Sequence, residues 1–240
     1  MLLFYTQSAY NAQQSINILL ERIKMLAKLI KLMVIAIFTF LSIAPTQAND
    51  INLDIEKILE DRKIGNDNAP IKIVKYASFT CGHCAIMNNK TMPEIKKQFV
   101  DTGIAQITYK SFPLDEHSML ATLMVQCAPK DKFLELYETL YQRQQDWFKS
   151  GNSIEFLANI AELTGVSREK FEACTNNQEL KAALTKDMKE SYTKYQINAV
   201  PALVINDGEK VVIGYKTVEQ LAEIINDVKN IKKLKLDKNN

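Results

Sequence analysis

The sequence predicts an α/β domain interrupted by an all-helical insertion. Three observations carry this reading. β-rich runs bounded by turn residues occur at 71–79 and 104–112. Two more return at 201–205 and 210–215. Between them, 116–195 shows helical spacing and no convincing strand.

Each element follows from local pattern. Residues 53–64 (LDIEKILEDRKI) read as a short helix stopped by Gly65. Asn66 to Pro70 is a turn cluster before the first strand run, Ile71 to Phe79. A helix begins at about Cys81, because the next strand run starts at Ile104, and Pro93 kinks it or opens its second half. In the insertion, Ser118–Cys127 is a helix ended by Ala128-Pro129. Phe133, Leu136, Tyr137, Leu140, Tyr141, Gln144 and Phe148 fall near helical spacing. Ser153 is placed to cap a helix that Gly165 ends, followed by helices at 167–174 and 178–195. Asn206-Asp207-Gly208 joins two strands as a hairpin. Thr217-x-x-Gln220 is a capping box for a last helix that places Leu221, Ile224, Ile225 and Val228 on one face. The domain boundaries that result are 49–115 with 196–240 for the α/β domain, and 116–195 for the helical domain. There is no internal repeat.

Composition excludes several classes. Of 240 residues, 47% are hydrophobic and 24% charged, which supplies enough apolar surface for a core and argues against disorder. Thirty basic and 28 acidic residues leave no field favouring nucleic acid. Four cysteines are too few for a disulfide-dense scaffold.

Residues 1–48 read as a targeting segment rather than fold. Lys24, Lys28 and Lys31 precede an apolar run from Leu32 to Ala44, and Thr46-Gln47-Ala48 offers small residues for cleavage. The run is shorter than the roughly 20 residues of a comfortable bilayer span. Met25 would open a signal of ordinary length and is read as the true start. An uncleaved anchor is the alternative. Without 1–48 the chain holds 26 basic and 27 acidic residues, so the slight basic excess belongs to the signal. Export would place the protein where disulfides persist.

The chemistry concentrates at Cys81-Gly82-His83-Cys84. A C-x-x-C between a strand and a helix puts both sulfurs on the first helical turn. There the helix N-terminus favours the reactive thiolate. Cys81 is the outer, accessible nucleophile and Cys84 the inner, resolving cysteine. Protonated His83 adds positive charge beside Cys81, and a stabilised thiolate makes the disulfide the stronger oxidant. A zinc site would need more ligands, and the chain has only His83 and His117 and no second C-x-x-C. An inert disulfide is the remaining alternative. Val200-Pro201 precedes the returning strand, where Pro marks a strand start or a cis turn.

Ile71–Cys84, the phrase Ser111-Phe-Pro-Leu-Asp-Glu-His-Ser118 and the segment Asn198-Ala-Val-Pro-Ala-Leu-Val-Ile-Asn206 together resemble the DsbA-like thioredoxin-fold disulfide oxidoreductases. The resemblance covers essentially all of 50–230 and implies a thioredoxin fold with an inserted all-helical domain. It implies Cys81 as nucleophile, Cys84 as resolving residue, and Gly82 and His83 as tuners of the potential. It implies that Pro201 is cis and faces the C-x-x-C, with Val200 binding an extended substrate by strand addition. It further implies an exported, periplasmic thiol oxidase without cofactor, monomeric, acting on cysteine-containing exported proteins and reoxidised by a quinone-linked membrane partner. Val200 before the proline looks like the oxidase branch. An isomerase or reductase of the same fold is the first alternative, and a non-enzymatic envelope surface protein the second.

Two residues depart from the family pattern. Gly82 stands where typical members have Pro. Lys75 stands where many have an acidic residue; beneath Cys84 it would favour a thiolate there rather than relay a proton. Cys127 and Cys174 are the leftover pair, read as a structural disulfide of the insertion, with two buried free thiols as the alternative. Some DsbA-like proteins carry a matching pair. His117 reads as a capping or surface residue, Trp147-Phe148 as packing, and the lysines at 229, 232, 233, 235 and 238 as a solvated tail.

Overall fold

The structure, a computed structural model, describes residues 20–31, 33 and 51–237. The first 50 residues and the remainder are separate units. In the first unit, residues 20–31 and 33 are helical and exposed. Apart from Met33, the apolar run and the cleavage site of the expected signal lie outside the described residues. Among the described residues no helix is long and apolar enough to cross a membrane.

The second unit is built on a five-stranded mixed sheet. Its strands are β1 (Arg62–Ile64), β2 (Ile71–Ala77), β3 (Ala105–Ser111), β4 (Ala202–Ile205) and β5 (Lys210–Ile213). Their order is β1-β3-β2-β4-β5, so β2 is central. It runs parallel to β3 and antiparallel to β4, with Lys75 beside Tyr109 on one flank and Leu203 on the other. A parallel pair needs a crossover, and the helical stretch 82–100, here α2, supplies it. α2 alternates α-helical Gly82–Ile86 and Met92–Ile95 with π-helical Met87–Thr91 and Lys96–Val100. Pro93 sits in the first turn of the segment Met92–Ile95, directly after a wide π turn. It therefore opens the second half of the stretch, where its missing N–H is tolerated.

The expected helix over 53–64 is shorter than its pattern suggested. α1 covers Ile55–Leu59, and Arg62–Ile64 instead pairs antiparallel with β3 as an edge strand. A tertiary partner explains the change. The buried Arg62 side chain donates to the carbonyls of Gln126 and Ala128 at 2.5 and 3.3 Å and lies over the Phe133 ring. Extended backbone points it there.

Between β3 and β4 the chain is helical: α3 (Glu116–Gln126), α4 (Phe133–Gln142), α5 (Gln144–Phe148), α6 (Ser153–Leu163), α7 (Arg168–Thr175) and α8 (Gln178–Tyr195). The single run expected over 131–148 is thus two helices. Asn152, not Ser153, caps α6: its side chain accepts from the Glu155 N–H, while the Ser153 hydroxyl donates to the Trp147 carbonyl. Cys127 and Cys174 are bonded to each other, tying the end of α3 to α7. In the loop-entropy view such a closure restricts the unfolded chain by about 4 kcal/mol. The insertion shares its core with the sheet, since Tyr109 of β3 stacks edge-on against Phe133 and Tyr137 of α4.

The β4–β5 hairpin turns through Asn206 and Asp207, both at positive φ, as twisted hairpins prefer. The last helix, α9, spans Val218–Asp237. Its capping box is made in both directions: the Gln220 N–H donates to the Thr217 hydroxyl and the Thr217 N–H to the Gln220 side chain. Leu221, Ile225 and Val228 are buried. The expected solvated tail is helical as far as 237, and Lys232 donates to the Pro70 carbonyl. Position 238 lies outside the described residues.

Gly65, between β1 and β2, has φ +97, and a Cβ there would lie 2.7 Å from the Ala105 carbonyl oxygen and 2.8 Å from a Val100 methyl. Gly65→Ala should lose about 1–2 kcal/mol from the left-handed backbone and about 1–3 kcal/mol from overpacking. A denaturant midpoint lowered at unchanged slope checks this.

Candidate active site

The C-x-x-C motif leaves the C-terminal end of central strand β2 and enters α2. Cys81 is the N-cap: its backbone is extended and its sulfur accepts the Cys84 N–H at 3.1 Å. Cys84 is one turn in and completely buried, whereas Cys81 is half-buried. Both are free thiols.

Three side chains, Ser118, Asp115 and Gln144, fix the loop before Cys81. The Ser118 hydroxyl meets that of Ser78 at 2.7 Å and accepts the Phe79 N–H. The Thr80 hydroxyl donates to Asp115, whose other oxygen caps α3 through the Ser118 N–H. Gln144 donates to the carbonyls of Phe79 and Cys81, at 2.7 and 3.1 Å. The phrase Ser111–Ser118 is therefore a latch: it carries the chain from β3 into α3 and holds the motif loop. Gln144 was legible in the sequence only as one residue on an apolar helical face. Its buried amide is the part of the site that the pattern did not separate from packing.

On the other side of Cys81 lies the loop before β4. The Val200–Pro201 peptide bond is cis. The Cys81 sulfur lies 3.5 Å from the Val200 carbonyl oxygen, to which it donates only when protonated, while Pro201 is buried and its carbonyl accepts from Gly214. Gly82 and His83 are exposed on the first turn. A Cβ at Gly82 would meet nothing, so packing does not demand glycine there.

The two thiols differ electrostatically. Cys81 is lowered to about 6. The chief cause is the Cys84 side chain donating to its sulfur, partly opposed by burial, with the N–H groups of Cys84 and His83 and the His83 charge adding to the lowering. Cys84 is pushed far up, because its proton is held by Cys81 and burial disfavours its charge. At neutral pH the site therefore holds one thiolate, at Cys81, and one thiol, at Cys84.

Lys75 of β2 is fully buried, and its charge acts on Cys84. Its ammonium donates to Asn88 Oδ1 at 2.8 Å and faces the rings of Tyr109, Tyr137 and Tyr141 at 5.4, 5.0 and 5.6 Å. Burial lowers its pKa to about 7, against the pull of Cys84 and Glu138. The charge of Lys75 does pull Cys84 toward its thiolate, as expected, but burial and Cys81 outweigh it.

The other singled-out residues lie apart from the sulfurs or have structural roles. His117 is exposed, with its ring edge-on to Phe148 at 5.7 Å. Trp147 is buried and donates to the Leu140 carbonyl, while Phe148 is exposed. Among the described residues no group of His, Cys, Asp and Glu is placed to hold a metal.

A strand delivering a C-x-x-C to a helix N-terminus, opposite a cis-proline loop and within a mixed sheet, defines a thioredoxin-type dithiol site. The family model described as thioredoxin matches residues 57–227, and the chain belongs to that family. It is 27% identical over 147 residues to a Rickettsia conorii protein named, by inference, a protein-disulfide oxidoreductase, covering 61% of this chain and 53% of that one. Disulfide bond formation protein D of Bacillus subtilis is 25% identical over 185 residues, covering 75% and 82%. The chain spans about half the length of the Rickettsia relatives it matches. Among solved structures, α-DsbA1 of Wolbachia pipientis superposes with a TM-score of 0.67 at 25% identity, covering 74% of this chain and 95% of that one.

The charge assignment is directly testable. Alkylation of Cys81 should accelerate as pH rises through about 6, because the thiolate is the reactive form. Cys84→Ala removes the main donor to that thiolate. A hydrogen bond to a charged group is worth about 1.5–3 kcal/mol, so the inflection should move about one to two pH units toward alkaline pH.

Proposed function

We propose that this chain is an exported thiol oxidase that introduces disulfide bonds into cysteine-containing proteins of the periplasm. The observation that carries the reading is the paired state of the two cysteines: a half-buried, acidic Cys81 at a helix N-terminus over a buried Cys84 that keeps its proton. Stabilising the reduced thiolate makes the corresponding disulfide a stronger oxidant. The name of the Bacillus subtilis relative, disulfide bond formation protein D, supports this direction.

In the oxidised enzyme a substrate thiolate attacks the Cys81 sulfur. The Cys81–Cys84 bond breaks, the electron pair leaves on Cys84, and a Cys81–substrate disulfide forms. A second substrate thiolate then attacks the substrate sulfur of that bond, releasing the substrate disulfide and the Cys81 thiolate. Cys81, the accessible sulfur, is the nucleophile on return, and Cys84 resolves. Gly82 and His83 tune the potential, His83 through its charge beside Cys81. The Val200 backbone, already at hydrogen-bond distance from Cys81, is where an extended substrate segment would align by strand addition. The Cys127–Cys174 bond is structural. The electrons reside on the cysteines, so the reaction as written uses no cofactor. A quinone-linked membrane partner would reoxidise the dithiol. The chain acts as a monomer, with 116–195 as its helical domain and 1–48 as a cleaved signal.

Cys84→Ser should trap mixed disulfides with exported proteins through Cys81, and Cys81→Ser should trap none. Equilibration with glutathione separates the directions of catalysis. A potential near about −120 mV is expected for the oxidase, whereas one near about −270 mV would make the protein a reductant.

A further inference from the structure

We propose that Gln144 is a positioning residue for Cys81: its buried amide holds the Cys81 backbone in the conformation that lets the sulfur accept the Cys84 N–H, and through that hold the helical insertion governs the reactivity of the thiol. The inference rests on the oxidoreductase reading above and names the residue outside the motif that prepares its nucleophile.

The cap at Cys81 is first a matter of backbone. A side chain caps a helix only while its own residue stays extended and the following residues turn. Cys81 has φ −79 and ψ 115. Rotation about ψ swings its carbonyl, so a group that holds the carbonyl also holds the cap. That carbonyl accepts the Ala85 N–H of the helix at 3.1 Å. Gln144 donates to it as well, at 3.1 Å, and to the Phe79 carbonyl at 2.7 Å. One amide thus braces the chain on both sides of Thr80. Phe79 lies beyond the end of β2, where the ladder no longer pairs its carbonyl. A buried carbonyl without a donor is costly, so the loop keeps the conformation in which Gln144 serves both.

The brace is itself anchored. Gln144 is 4% exposed and opens α5. One turn on, buried Trp147 donates to the Leu140 carbonyl, and the hydroxyls of Ser150 and Ser153 donate to the Trp147 carbonyl. Arg143, just before it, bonds to Asp146 and lies over the Phe156 ring of α6 at 4.7 Å. The Phe79 ring packs against Tyr137 and Tyr141 of α4, so the insertion holds both the ring and the carbonyl of that residue. Gln144 brings no charge to the site. The titratable groups acting on Cys81 are Cys84 and His83 of α2. Tyr141 of α4 is kept neutral by burial, Asp115 before α3 is bonded to Thr80, and the loop before β4 presents only the Val200 carbonyl. Gln144 acts through position, on an N–H that residue 84 keeps whatever its side chain.

The experiment follows alkylation of Cys81 by iodoacetamide against pH in the reduced full-length chain, with the denaturant midpoint measured on the same samples. The wild-type inflection is expected at about 6. Gln144→Met keeps the length and removes both donors, and Gln144→Asn keeps the amide one methylene short of the carbonyls. Each should move the inflection upward, Gln144→Met by about one pH unit. In a Cys84→Ala background Gln144→Met should add a further shift of the same size, because alanine retains the capping N–H. A purely structural role would lower the denaturant midpoint and leave the inflection in place. An unmoved inflection in Gln144→Met, or in Gln144→Asn where the first variant does not fold, overturns the assignment. So does a shift that vanishes in the Cys84→Ala background. A wild-type inflection at the ordinary free-thiol value of about 8.5 overturns the oxidoreductase reading and this inference together. An acidic wild-type Cys81 that is blind to Gln144 overturns this inference alone.

Discussion

The structure turns on one hydrogen-bonded cap: the Cys81 sulfur accepting the N–H of Cys84 at the start of α2. A helix N-terminus presents unpaired N–H groups and the positive end of the helix dipole. Here a sulfur occupies the place that Ser or Asp usually takes. The group that terminates the helix is therefore also the thiol whose pKa is lowered to about 6. Anything that aims β2 aims this cap, and β2 is the middle strand of the five.

The insertion serves that cap in ways that its separation in sequence hides. Asp115 and Ser118 at the start of α3 hold Thr80, Phe79 and Ser78. Gln144 at the start of α5 satisfies two carbonyls of the same loop. Those carbonyls lie where the chain leaves a strand and has no ladder partner, and a buried amide left without a partner is costly. The Cys127–Cys174 bond sits in a smaller cluster with Leu123, Leu180 and Leu184, away from the reactive sulfurs. It cross-links the end of α3 to α7.

Beneath the cap the charge pattern is unusual for a protein interior. A lysine in the central strand would ordinarily seek a carboxylate, yet it meets tyrosine rings and an asparagine. The Cys84 thiol is pulled both ways: Cys81 holds its proton and the charge of Lys75 favours its loss. Burial strengthens each of these interactions, because water does not screen them.

Much of this was written in local pattern. The β-rich runs at 71–79 and 104–112, the helical spacing of the insertion and the capping box at Thr217 need only neighbours in the chain, so composition, periodicity and turn chemistry reveal them. The C-x-x-C declared its chemistry because its two sulfurs act within one helical turn. Arg62–Ile64 did not declare itself, since its extended form depends on β3 and on carbonyls at Gln126 and Ala128. Gln144 and Lys75 read as a helical-face residue and a departure from pattern until their partners were in place. By itself the sequence determined which residues are able to cap, turn, alternate and carry a thiolate, because those properties are local. Only the tertiary structure decided which buried polar groups meet, because Lys75 and Tyr137, or Gln144 and Phe79, are brought together by packing across elements rather than by spacing along the chain.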